Sequence, residues 1–411
     1  MSHTSNDFDA QMQRGIALRD SGDLPGAVAA LNAAIAIFEG EAAAWVHRGI
    51  SWGQMGERER ALADLDRAVT LAPDGVWVWT HRAIACGLMG YFDLAIESFD
   101  RAIALEPDNV QALASRGETL REMRRFEAAL ADFNRVIALD PGHFGARVNR
   151  GHTCLQLGQT ERAQADFQHV LQRAPGHPNA LLGLAEIYRR QAQFAQAILA
   201  FTEVLAAAPG HFGALVGRGE AHRQAGESGA AIDDFNRAIA LYPDRVDALA
   251  GRAATAADLG HFDEALADFG RAAELAPHDV DIWAGRGDVL RRAGRVQEAV
   301  VSFTRALALV PDHFWSLMGR GVSSRTDNDL EGALEDFSSA LKLADRDPMV
   351  WAHKGETLHQ MGRYEDAVSD FSHALAMNER FVWALQCRSE SYRQMGRFVE
   401  AIEDQNRANT L

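Results

Sequence analysis

Eight prolines keep one interval along the chain: Pro73, Pro107, Pro141, Pro175, Pro209, Pro243, Pro277 and Pro311 each follow the last by 34 residues. An alanine keeps the same interval over twelve units, from Ala27 and Ala61 to Ala367 and Ala401, with no insertion or deletion. A chain of 411 residues would otherwise suggest two or three domains of ~100–200 residues each. A strict period of this length predicts instead one small supersecondary unit, stacked repeatedly. It leaves no room for a separate catalytic domain.

Inside each unit the apolar spacing is helical. In the unit beginning at Val110, Leu113, Gly117 and Leu120 share one face, and after a turn Ala129, Phe133, Val136 and Leu139 form a second stripe. The turn carries glycine at Gly22, Gly56, Gly90, Gly158, Gly226, Gly260, Gly294, Gly362 and Gly396, and Asn328 once. These residues tolerate the left-handed backbone that ends a helix. Proline then closes the second helix because it cannot continue one. The expectation is an all-α fold of about 24 helices in twelve hairpins, starting near 8, 42, 76, 110, 144, 178, 212, 246, 280, 314, 348 and 382. Residues 8–411 are read as a single solenoid and residues 1–7 as a disordered tail.

Small residues at one phase of the first helix (Gly15, Gly49, Ala83, Gly117 and onward to Ser389) let its backbone approach the alanine series of the second. Phenylalanines from Phe99 to Phe371 recur beside that contact. No unit buries its apolar surface alone, so stability comes from neighbours. Two stretches, "WAGRGDVLRRAGRVQEAVVSFTRALALVP" from Trp283 and "WAHKGETLHQMGRYEDAVSDFSHALAM" from Trp351, resemble the signature of the tetratricopeptide repeat family. The resemblance covers nearly the whole chain. It implies a right-handed α-α superhelix with a concave face lined by first helices, used to hold a protein or extended peptide segment.

The chain departs from that family pattern in one series. Arginine precedes the small residue at Arg14, Arg48, Arg82, Arg116, Arg150, Arg218, Arg252, Arg286, Arg320 and Arg388, with Lys354 as a variant. Aspartate precedes the phenylalanine phase at Asp64, Asp132, Asp166, Asp234, Asp268, Asp336, Asp370 and Asp404. The unit with Leu184 has Ala200 instead, which suggests structural ion pairs within or between hairpins. The match is imperfect, since Arg14, Arg82 and Arg286 correspond to Ala30, Ser98 and Ser302.

Composition narrows the function classes. A net charge of −16 argues against a general nucleic-acid binder. Cys86, Cys154 and Cys387 form no C-x-x-C pair and fit a reducing, cytoplasmic setting. Two lysines against 39 arginines, with abundant alanine, point to a GC-rich bacterial source or to selection for planar bidentate contacts. No secretory signal or membrane span is visible. His143, His177 and His211 share a phase, but ligands one repeat apart cannot meet one metal ion, so they are read as loop residues. No catalytic motif appears, and neither enzyme activity, cofactor nor metal is expected. Arg286-Gly287-Asp288 lies mid-helix, and Leu290 breaks a phosphate-binding glycine motif at the same place.

By the family's geometry, the residue after the small one and the residue one turn later face the groove. They pair acid with base at Glu118/Arg121, Glu186/Arg189, Glu220/Arg223, Asp288/Arg291, Glu356/His359 and Glu390/Arg393, with Arg292 alongside. Such a ladder is either a solvated face or a run of donors and acceptors for an extended peptide. Val46, Ile50, Trp77, Ile84 and Leu88 make the earlier groove apolar, a surface for a hydrophobic anchor or for self-association. Trp315 and Trp383 add anchors later. Glycine at Gly183, Gly217, Gly251, Gly285 and Gly319 implies either close packing or a ligand approaching the backbone. The function expected is a non-catalytic protein- or peptide-binding scaffold, with no nucleic-acid or membrane partner. The alternatives are a regulatory subunit that holds a separately encoded enzyme and a self-assembling structural solenoid.

Overall fold

The computed structural model describes residues 2–411, with side chains from Asn6 onward. Among these residues there are 24 α-helices and no strand, from α1 (Ser2–Asp20) and α2 (Leu24–Ile37) to α23 (Val382–Gln394) and α24 (Phe398–Thr410). Odd-numbered helices are first helices and even-numbered ones second helices, as in α7 (Val110–Glu122) and α8 (Phe126–Leu139). Helix extends into the expected tail, beginning at Ser2, while Met1 lies outside the described residues. No glycine or proline interrupts 2–14, and Met12 is buried in the first core cluster. Once that turn is anchored, each further residue adds a hydrogen bond without a new nucleus. Among the described residues no helix is long and apolar enough to cross a membrane.

The single array expected over 8–411 gathers into two compact units, Met1–Gln191 and Ala192–Leu411, divided in the turn that follows α11 (Pro178–Arg190). Within each unit the first helices of successive repeats touch one another, whereas the second helices touch only first helices. First helices therefore form the tighter layer.

Nine turn glycines have φ between +71° and +87°. Three other residues at that phase do the same: Asn328 at +67°, Arg124 at +59° and Ala192 at +57°. Stacking fixes this geometry even where the residue opposes it. Arg124→Gly is expected to stabilise the first unit by about 0.5–1 kcal/mol, the relief of left-handed strain exceeding the extra entropy of an unfolded glycine. The checks are urea denaturation and amide exchange across 117–133.

The three phased histidines cap helices. His143, His177 and His211 accept from the backbone N–H of Ala146, Ala180 and Ala214 at 3.0, 3.4 and 3.1 Å, and Asn109 does the same for Ala112 at 2.9 Å. Each satisfies one of the orphan donors of a first turn.

The glycine question resolves as packing. Phe167 is fully buried between Gly151 of its own repeat and Gly183 of the next. A Cβ at Gly151 would stand 2.7 Å from the ring, and one at Gly183 would run into its edge. Phe235 lies likewise between Gly219 and Gly251, and Phe303 between Gly287 and Gly319. Repeats 1 and 2 have Leu31 and Leu65 where repeats 3 to 11 have phenylalanine, and there the following phase is His47 and His81. His353 keeps a phenylalanine neighbour by lying parallel to Phe337, 5.5 Å between centroids.

The arginine series forms a second lattice. Arg116 donates from Nε and Nη2 to both oxygens of Asp132 at 2.8 and 2.6 Å, and from Nη1 to Asp100 of the preceding repeat at 2.6 Å. One guanidinium thus ties its own two helices to the second helix before it. Arg48, Arg150, Arg252 and Arg388 repeat this fork on Asp64, Asp166, Asp268 and Asp404, with the third arm on Asn32, Asn134, Asn236 and Ser372. Arg82, which lacks an aspartate of its own, turns its fork back onto Asp66. Lys354 makes one bond to Asp370 at 2.7 Å. Burial pushes the Asp370 carboxyl up, and the single ammonium only partly offsets it.

Candidate functional site

The half-buried charges of the first helices lie on the face that the packing leaves free. Four expected ladder pairs form within their helices: Glu186–Arg189 at 2.9 Å, Glu220–Arg223 at 2.5 Å, Asp288–Arg291 at 2.6 Å and Glu390–Arg393 at 3.1 Å. Glu186 is held below the usual carboxylate range because Arg189 and Arg190 outweigh the opposing effect of burial. Arg223 also bridges to Asp258 of the next repeat at 2.9 Å, and Arg292 reaches the Ala257 carbonyl at 2.8 Å.

Two expected pairs do not form. Glu118 accepts from the Asn149 amide at 2.8 Å, and the Arg121 Nε is buried without a partner. Glu356 pairs with Arg325 of the preceding first helix at 2.5 Å, while His359 hydrogen-bonds the Ser391 hydroxyl at 2.8 Å. In both cases a polar group on the neighbouring first helix competes with the one a turn away. The ladder is therefore partly transverse.

The apolar N-terminal residues separate. Val46 is fully buried against Ala61 and Leu65 and is withdrawn from the face, because its phase points at its own second helix. Ile50 and Ile84 are half-buried on their repeat cores. Trp77 is 41% and Leu88 81% exposed, Trp77 being held between His47 and His81 at ring separations of 5.6 and 4.2 Å. Later, Trp383 packs edge-on against His353 at 4.8 Å and Phe381 at 5.8 Å, whereas Trp315 is 71% exposed.

In the second unit the first-helix face opens into a cavity. Between α17 (Val280–Arg292), α19 (Phe314–Thr326) and the start of α21 (Pro348–Gln360) lies a space of about 600 Å³. Phe303 and the backbone of Gly285 and Gly319 form its floor, and Trp315, Met318 and Val322 its walls. The glycines that packing requires leave this hole in the layer above the ring. The ladder lapses in the same place, since Val322 stands where neighbouring repeats have Asp288 and Glu356.

Tetratricopeptide repeat models match residues 8–76, 89–144 and 251–314, and further models of that description match 117–182, 155–219, 214–245 and 350–381. The chain belongs to the tetratricopeptide repeat family. No curated protein matches the sequence. A tetratricopeptide repeat protein from Parabacteroides merdae has a similar structure, at 18% identity and a TM-score of 0.52, over 61% of this chain and 98% of that one. A chain of the APC/C hetero-tetramer Cut9-Hcn1 is similar at 13% identity and a TM-score of 0.54, over 98% of this chain and 86% of that one. At these identities the likeness shows the fold.

Two features of these tetratricopeptide repeats escaped sequence reasoning. Trp45, Trp79, Trp283 and Trp351 share a phase, and each indole donates to the carbonyl six residues earlier, at 2.8–3.1 Å. Their common phase was the available signal. The second is the cavity, at a ladder phase where Val322 is apolar but where Ala254 is apolar too.

Burial sets the titration of the face. His353 is pushed down to about 4 by burial, with Arg325 and Arg291 adding repulsion, and His47 to about 4 by burial, Arg19 and His81. Both folded values lie below the unfolded value of ~6.5. Their contribution to stability is complete above pH ~6.5 and is lost progressively as pH falls toward 4, because the unfolded chain takes up protons first. The melting temperature is expected to drop over that window, and His353→Asn to flatten the drop. A slope unchanged by that substitution would assign the effect to other groups.

Proposed function

We propose that the chain is a non-catalytic protein-binding scaffold whose first-helix faces hold an extended segment of a partner protein. The observation that supports this most is the free face itself: a ladder of half-buried charges, partly transverse between repeats, interrupted by an apolar cavity. Half-buried charges of both signs offer a backbone donors and acceptors at a spacing set by the repeat, while the cavity offers a place for one side chain. The tetratricopeptide repeat family and its protein-interaction role support the same reading.

The test is a charge swap that preserves the helices. Glu220→Arg with Arg223→Glu, and Asp288→Arg with Arg291→Glu, keep an ion pair on each helix but invert its polarity. Affinity for the partner recovered with the unmodified protein is expected to fall at least tenfold, measured by calorimetry with circular dichroism as the folding control. Unchanged affinity in a folded variant removes the ladder from the binding surface.

A further inference from the structure

Resting on the scaffold reading, we infer that the cavity over Phe303 is the anchor site of the partner segment, and that it takes an aromatic side chain flanked by lysine or arginine. Three observations converge on that chemistry. The cavity is about 600 Å³, within the size range of specific ligand pockets, and has a ring as its floor and Trp315 exposed at its edge. Its floor cannot be filled from within, because a side chain at Gly285 or Gly319 would collide with the rings of Phe269 or Phe303. The space is thus a fixed consequence of the core.

The third observation is the charge around the opening. Asp281, Asp288 and Asp347 border it against a single arginine, Arg291, which is tied to Asp288 at 2.6 Å. Asp281 has 84% of its side chain exposed, with the His313 Nε2 3.6 Å away. Asp347 caps α21 by accepting from the Met349 N–H at 2.8 Å. A segment entering here meets an apolar floor and an anionic border. An aromatic group buries its body against Phe303 and Trp315, and adjacent cations meet Asp281 and Asp347. A cation over the exposed ring of Trp315 rewards that combination.

The test uses short blocked peptides as probes: a nonapeptide with one central phenylalanine flanked by lysines, the same peptide with alanine at the centre, and the same with glutamates as flanks. Calorimetry reads binding. The lysine–phenylalanine peptide is expected to bind, and the other two at least tenfold more weakly. Val322→Trp, which fills the cavity from a half-buried wall, is expected to abolish binding, and Asp281→Lys to weaken it severalfold with the melting temperature unchanged. Equal binding of all three peptides overturns the inference, as does full binding to a folded Val322→Trp variant. If Val322→Trp leaves capture of the natural partner intact while the charge swap on Glu220, Arg223, Asp288 and Arg291 destroys it, the anchor site is wrong and the scaffold reading stands. Loss of both to the same variants supports the two together.

Discussion

Asp132→Ala is expected to destabilise the first unit by about 1.5–3 kcal/mol, because it leaves a half-buried guanidinium without its bidentate acceptor. Asp132 is 4% exposed and Arg116 spans three helices, so no rotamer returns the charge to water without breaking the third arm on Asp100. Arg116→Leu alone is costly for the converse reason, a buried carboxylate. The double change Arg116→Leu with Asp132→Ala, which copies the residues at Leu184 and Ala200, is expected to recover most of the loss. Apolar groups in place of a buried pair are often neutral to stability, since the desolvation of two charges disappears with their attraction. Repeat proteins unfold by neighbour-coupled units, so the readout is amide exchange within α7 and α8 across the double-mutant cycle. Additive single and double effects contradict a coupled pair.

Phe167→Ala is expected to cost about 3–5 kcal/mol, the usual range for deleting a buried ring. Gly183→Ala sets two effects against each other. Helix propensity favours alanine by about 1 kcal/mol, but overpacking a tight core costs about 1–3 kcal/mol. The added Cβ would meet the ring of Phe167, which Gly151 already confines from its other side, so overpacking wins and the net change is a loss. In a Phe167→Leu background the same Gly183→Ala is expected to become neutral or stabilising. Leu31 and Leu65, followed by His47 and His81, show that arrangement already in the chain. Thermal and urea denaturation of the four proteins decides it. A Gly183→Ala variant that is stabilised with Phe167 present would mean that the glycine series answers to something other than the ring.

Most of the fold was legible because it repeats. A phase shared by twelve units identifies the turn, the crossing glycines and the arginine–aspartate forks without reference to any partner element. What remained hidden depends on neighbours one repeat away. Glu118 looked paired with Arg121 on helical spacing, but Asn149 on the next first helix takes its carboxylate. Val46 looked like a groove residue until the direction of its phase placed it in the core. The glycines from Gly183 to Gly319 were ambiguous in sequence because half of their explanation, the preceding phenylalanine, sits across a repeat boundary. Arg124 and Ala192 concealed the left-handed turn because neither is a residue that favours it.

The central claim is that partners bind on the first-helix faces, and site-specific photo-crosslinking in cells tests it most directly. A benzophenone side chain placed at Glu220 or Val322 reports on first helices, and one at Asp233 or Glu274, both exposed on second helices, reports on the opposite layer. The expected result is one discrete crosslinked protein from Glu220 and Val322 and none from Asp233 and Glu274. Crosslinks confined to Asp233 and Glu274 would place the partner on the second helices and contradict the account.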